Sequence, residues 1–160
     1  MNKQNQKNDA HFLDGRHGDN KGHNRHKQNI LFVCKHNRFR SKVAEAFFNK
    51  LNKNKNYQSS SAGLIYGEYP LDRIEVNVAK KIGLKLNGKP KPLNMKLLGR
   101  QDIVVIVADN IPLNLFNGGR YGKKKIVWKI PDVVTHTEDE VRKIINDIES
   151  HVKKFVESLK

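Results

Sequence analysis

Residues 102–108 read DIVVIVA, six apolar side chains in succession after one aspartate. A strand with one wet face alternates apolar and polar residues. An unbroken run instead fits a parallel strand covered on both faces. Parallel neighbours cannot be joined by a tight hairpin; they need crossovers, usually helices. The rest of the chain supplies them. Residues 30–34 (ILFVC) form a second apolar run, 57–61 a weaker strand, and 125–130 (KIVWKI) a fourth, broken by Pro131-Asp132. Helical stripes lie between and after them. Residues 41–52 carry Val43, Phe47 and Leu51, widened by Ala44 and Phe48. Residues 71–82 carry Leu71, Ile74, Val78, Ala79 and Ile82, with Gly83 as the stop. Residues 138–159 carry Val141, Ile144, Ile145, Ile148, Val152, Phe155 and Leu159. Short helices are expected at 93–98 and 112–117, the latter ending at Gly118-Gly119, and a loop at Lys89-Pro90-Lys91-Pro92. The implied fold is a single α/β domain: a three-layer, doubly wound, four-stranded parallel sheet with helices on both faces.

Of the 160 residues, only 37% are hydrophobic, and the deficit is concentrated at the start. Residues 1–29 hold Met1, Ala10, Phe12 and Leu13 as their only apolar side chains. Such a stretch buries too little surface to offset its ordering entropy. Residues 1–28 are therefore read as a disordered basic, His- and Asn-rich tail, and 29–160 as the folded domain. The tail carries His11, His17, His23 and His26, more in keeping with a solvated low-complexity segment than with a metal site. It lacks the apolar core of a signal peptide, and no run approaches the length of a membrane span. A lone cysteine, Cys34, rules out an internal disulfide framework and fits a reducing cytoplasm. The formal charge is +15; six Lys/Arg against three Asp in residues 1–29 leave +12 on the remainder. That balance favours anionic partners. Aromatics at 8%, with no stacking pattern among the basic residues, argue against specific nucleic-acid readout.

Cys34 ends the first apolar run, and the helix begins about six residues later. In such a fold ligands bind beyond the carboxyl ends of the strands. A thiol there meets backbone N–H groups and a helix dipole that hold anions and favour thiolate. The intervening segment, CKHNRFRS from Cys34 to Ser41, can curl its N–H groups inward around one tetrahedral anion. Arg40 offers a planar fork for two phosphoryl oxygens. Ser41 can hydrogen-bond the sulfur. Asn37 suits a left-handed loop position and can brace the loop through its side chain. Lys35, His36 and Arg38 add positive charge. Asp132 follows the fourth strand and so falls on the same edge of the sheet; Asp109 ends the third and could support the site.

These residues resemble the low-molecular-weight protein tyrosine phosphatases, a family shared with thioredoxin-linked arsenate reductases. The resemblance covers roughly residues 29–160. CKHNRFRS resembles the family's C-x5-R-S phosphate loop. SSAG at Ser60–Gly63, GEYPLDR at Gly67–Arg73, Ile82-Gly83-Leu84 and VADN at Val107–Asn110 are similar to its further motifs. The resemblance implies that Cys34 attacks phosphorus, that Arg40 stabilises the transferring group and that Asp132 is the general acid. It also implies that Lys35, His36, Asn37, Arg38, Phe39, Arg40 and Ser41 form the phosphate loop. Phosphorylated protein or a small aryl phosphate is the implied substrate, with no metal or cofactor and no membrane partner. The chain departs from the family pattern in several places. His36 stands where glycine is usual, a substitution expected to strain the loop. Phe39 stands where many members keep a protective second cysteine. Val133, Val134 and Thr135 replace the proline and aromatics that often follow the acid, which leaves Tyr66 or Tyr69 to wall the cleft. The sequence leaves two alternatives open: an arsenate reductase that uses an external small thiol, and a non-catalytic phosphate- or nucleic-acid-binding relative.

Overall fold

A computed structural model describes residues 27–65, 67, 69–86, 88–117 and 124–160. The tail expected over residues 1–28 lies almost wholly outside these, as do Tyr66 and Gly118-Gly119. The chain runs β1 (Gln28–Cys34), α1 (Arg40–Leu51), β2 (Tyr57–Gly63), α2 (Arg73–Lys81), α3 (Met95–Leu98), β3 (Ile103–Val107), a 3₁₀ turn (Leu113–Phe116), β4 (Lys124–Trp128) and α4 (Glu138–Glu157). The strands make one four-stranded sheet in the order β2-β1-β3-β4, with every pair parallel. The chain winds outward from β1 to β2, then crosses back to the other side of β1. Loops after β1 and β3 therefore diverge, opening a crevice at the carboxyl ends of these strands. Cys34 is the last residue of β1.

The run 103–108 is buried on both faces, as its lack of polar residues requires. Ile103, Val105 and Val107 join Ile30 and Phe32 on one face, under α1, α2 and α4. Val104, Ile106 and Ala108 join Leu31 and Val33 on the other, against Leu98 of α3, Ile111 and Phe116. Phe32 centres the first layer, with its ring 5.8 Å from both Phe48 and Trp128. The second face is thinly covered, because α3 is one turn long and residues 113–116 are 3₁₀ rather than α-helical. No described helix is long and apolar enough to cross a membrane.

One helix differs from its sequence pattern. The stripe in 71–82 predicts that Ile74 is buried, yet Ile74 is 36% exposed while Glu75, Val78 and Ala79 are buried. Asp72 caps α2, accepting hydrogen bonds from the N–H groups of Ile74 and Glu75, so the helix begins at Arg73 rather than Leu71. Helical spacing accounts for the burial: Glu75 stands three and four residues before Val78 and Ala79 and shares their face, whereas Ile74 falls at its edge. Gly83 ends the helix with φ of 74°, the left-handed stop its position implies.

The sheet also sets how closely β2 approaches the loop after Cys34. Gly63 pairs with Cys34. A Cβ at Gly63 would lie 2.5 Å from the His36 carbonyl carbon and 2.7 Å from the Asn37 nitrogen. Both contacts are backbone and cannot swing aside. Gly63→Ala is expected to lower stability by about 1–3 kcal/mol through overpacking. Equilibrium denaturant unfolding checks this; an unchanged midpoint would mean that the loop yields freely.

Candidate active site

Residues 35–39 turn from the end of β1 into α1. The other three described α-helices have side-chain caps: Asp72, Asn94 and Thr137. α1 has none; Phe39 stands at its cap position with no side-chain hydrogen bond, and its first turn carries no acid. The uncapped N–H groups and the positive end of the helix dipole thus point at the loop beside Cys34.

Asn37 holds the loop together. It is fully buried and left-handed, with φ of 52°. Its backbone N–H lies 3.2 Å from Cys34 Sγ. Its side-chain Oδ1 accepts from Lys91 N–H at 2.8 Å. That contact fixes the amide orientation, because a backbone N–H can only donate. Nδ2 must then donate to Ser41 Oγ and Ser61 Oγ, both at 2.9 Å. Ser61 passes its proton on to Glu45 Oε2. Ser41 Oγ lies 3.0 Å from Cys34 Sγ, and either atom can be the donor. The sulfur is thus in reach of one backbone N–H and one hydroxyl.

Arg40, 2% exposed, spans the crevice. Nη1 donates to the Ile130 carbonyl at 2.9 Å, and Nη2 to Asn110 Oδ1 at 3.2 Å. Nη2 is also 3.0 Å from Asp132 Oδ2, while Asp109 Oδ1 lies 3.6 Å from Nη1. One guanidinium therefore gathers the ends of β3 and β4 at the end of β1. Asn110 adds a 3.4 Å contact to Asp132. The segment after Asp132 has no aromatic anchor; Glu140 replaces it, accepting from the N–H groups of Val134, Thr135 and His136. Those bonds, Val134 first, hold the Glu140 carboxyl below the ordinary range. The Thr137-x-x-Glu140 spacing is a capping-box signal that would have revealed this anchor.

A cavity of about 190 Å³ gathers Cys34, His36, Arg38, Phe39, Arg40 and Asp132, together with Glu75, Val133 and His136. The structure thus brings Cys34, Arg40 and Asp132 together. Asn37 and Ser41 are buried behind the loop as supports, and Lys35 does not line the cavity. Phe39 sends its side chain into the core. His36 has an ordinary backbone: among described non-glycine residues only Asn37 and His136 have positive φ. The strain expected from replacing glycine there is absent. Tyr69 does not line the cavity. It stacks under the Arg38 guanidinium, 5.8 Å from its ring centre, while Arg38 Nε donates to the Pro70 carbonyl at 3.0 Å.

Sequence reasoning missed Glu75. It is 6% exposed, and its Oε2 has no hydrogen-bond partner among the described residues. Burial, helped by Asp72 and Asp132 and opposed by Arg38 and Arg40, pushes its pKa up to about 7.

The family described as low molecular weight phosphotyrosine protein phosphatase matches residues 29–160. Several solved structures share the fold. A low molecular weight protein tyrosine phosphatase from T. tengcongensis is 24% identical, with a TM-score of 0.71 over 82% of this chain and 99% of its own. The tyrosine phosphatase Wzb from Escherichia coli K30, in complex with sulphate, is 21% identical, with a TM-score of 0.69 over 84% and 99%. An arsenate reductase from Archaeoglobus fulgidus is 29% identical, with a TM-score of 0.63 over 79% and 98%. No curated protein matches the chain.

Glu75 gives a pH-dependent stability with a definite sign. Its pKa rises from 4.5 to about 7 on folding. The native state therefore holds a proton that the unfolded chain releases. Below pH 4.5 its burial carries no ionisation penalty; the penalty grows as pH rises to about 7 and is constant above. Glu75→Gln is expected to match the parent near pH 4 and to exceed it at pH 8 by at most about 3 kcal/mol. Denaturant unfolding of both proteins across that range measures the difference.

Proposed function

The chain belongs to the low molecular weight phosphotyrosine protein phosphatase family, and from that premise we propose that it is a cysteine-dependent phosphomonoesterase acting on phosphotyrosine or similar aryl phosphates. The observation that carries the reading is the convergence of three groups on one small cavity: the Cys34 sulfur, the Arg40 guanidinium and the Asp132 carboxylate. In this reading the Cys34 thiolate attacks phosphorus, forming an S–P bond as the P–O bond to the phenol breaks. Arg40 and the uncapped N–H groups of α1 stabilise charge on the equatorial oxygens. Asp132 gives its proton to the departing phenolate. A water then attacks the phosphocysteine with Asp132 as base. Inorganic phosphate leaves, and the thiolate returns, held by Ser41 and the Asn37 N–H. Residues 29–160 form the catalytic unit, residues 1–28 are an appended tail, and the lone cysteine suits a reducing, cytoplasmic setting.

A second reading is arsenate reduction. The 29% identity to a protein described as an arsenate reductase favours it. Cys34 is the only cysteine. An internal cysteine relay is therefore impossible, and an external small thiol must be oxidised to resolve the arsenylated sulfur. Thiol consumption dependent on arsenate, and faster than aryl phosphate hydrolysis, would favour this reading over the first.

Cys34→Ser is expected to lower p-nitrophenyl phosphate hydrolysis by several orders of magnitude while the fold persists. Turnover that survives the change excludes a phosphocysteine. Asp132→Asn is expected to lower kcat by about 10²–10⁴-fold on phenyl phosphate, and by less on esters of more acidic phenols, which need no proton to depart. An equal loss across the leaving-group series would move the acid role elsewhere, with Asp109 the nearest candidate.

A further inference from the structure

The cavity beside Cys34 holds a second carboxyl that the phosphatase reading does not use. Glu75 lies in the first turn of the nine-residue helix α2 and lines the same 190 Å³ cavity as Cys34, Arg40 and Asp132. Its Oε2 is buried and without a hydrogen-bond partner among the described residues. The nearby guanidinium groups have other partners. Arg38 bonds the Pro70 carbonyl and stacks on Tyr69; Arg40 bonds Ile130, Asn110 and Asp132. An ionised Glu75 would thus place a second carboxylate beside Asp132, in a site whose ligand is itself a dianion. A protonated Glu75 is the opposite: an O–H donor among the residues that line the cavity.

We propose that Glu75 is an anion-binding residue of this cavity that acts in its protonated form, donating its carboxyl O–H to a phosphoryl oxygen, so that capture of a dianion draws one proton from solvent onto Glu75. The proposal rests on the cavity being the phosphate site. No bond is made or broken; the proton taken up is released when the anion leaves. A pKa near 7 for this carboxyl keeps the proton within reach at neutral pH. The other titratable groups around it are known by position. The loop contributes His36, Arg38 and Arg40, the start of α2 contributes Asp72, and the segment after β4 contributes Asp132 and His136. His36 Nδ1 is also buried without a partner among the described residues, so the histidines are the main rivals for such a proton.

The test uses the full chain carrying Cys34→Ser, which removes the thiol's own titration. Sulfate serves as the probe because it stays a dianion throughout. Isothermal titration from pH 5.5 to 8.5, in two buffers of different ionisation heat, reads affinity and proton uptake together. Affinity is expected to fall by up to about tenfold per pH unit above pH 7, with uptake approaching one proton per sulfate. Adding Glu75→Gln, which keeps a donor and cannot ionise, is expected to flatten the profile and abolish the uptake. Adding Glu75→Ala instead is expected to give a flat profile with binding about three- to tenfold weaker than the Gln protein, from the lost hydrogen bond. Slope and uptake that survive in the Gln protein would assign the proton to His36 or His136 and overturn the proposal. Equal affinity of the Ala and Gln proteins would overturn the direct contact. Absence of sulfate binding in every variant, with thermal unfolding intact, would remove the anion site itself, and the phosphatase reading with it.

Discussion

The hydrogen bonds of one buried amide, Asn37, connect everything the cavity needs. Its oxygen is fixed by a backbone donor at Lys91 and its nitrogen by two serine oxygens. At one end Glu45 accepts from Ser61; at the other, Ser41 lies against the Cys34 sulfur. The amide ties the loop to three separate pieces of the fold: α1 through Ser41, β2 through Ser61, and the segment after Lys89 through Lys91. A left-handed residue in this loop is costly for most side chains, and asparagine tolerates it best after glycine. The geometry around the sulfur is therefore a property of the whole sheet edge, and Gly63 makes room for it by having no side chain.

Arg40 plays the matching part across the crevice. A buried guanidinium needs its charge and donors met, or it destabilises the fold. Here the Ile130 carbonyl takes one N–H, and the ends of β3 and β4 supply Asn110, Asp109 and Asp132. Asp132 is consequently held near the loop although almost a hundred residues of chain separate them. Its own segment is fastened separately by Glu140, at the first turn of α4. Backbone hydrogen bonds to that one carboxylate position the segment. From that segment Val133 and His136 line the cavity.

The sheet was legible because burial on two faces leaves a plain mark: five apolar residues in a row at 103–107 leave no side for water to wet. The loop was legible because its parts are local, with Cys34, Asn37, Arg40 and Ser41 inside eight residues. Asp132 was legible only through the rule that places sites at the carboxyl ends of strands. Glu75 was not. Its spacing from Val78, Ala79 and Ile82 puts it on the apolar face, but a stripe drawn from apolar residues alone passes over a glutamate. Ile74, which the stripe assigns to the core, falls at the edge of that face and is exposed. His36 was misjudged for a related reason. A motif comparison makes it a misplaced glycine, yet the left-handed turn falls on Asn37, and His36 needs only ordinary backbone.

Two carboxyl groups line one cavity, and their surroundings differ. The Asp132 side chain is 47% exposed and 3.0 Å from a guanidinium nitrogen. Glu75 is buried, with one oxygen unpartnered among the described residues. Burial with an unpartnered oxygen favours the neutral form of Glu75, against the pull of Arg38 and Arg40. The role proposed for Asp132 is to exchange protons with leaving group and water, which calls for a carboxyl open to solvent. The role proposed for Glu75 is to donate one hydrogen bond from within the cavity, which calls for a carboxyl that stays neutral. The contrast in surroundings follows from where α2 begins and β4 ends, and it is what separates the two proposed roles.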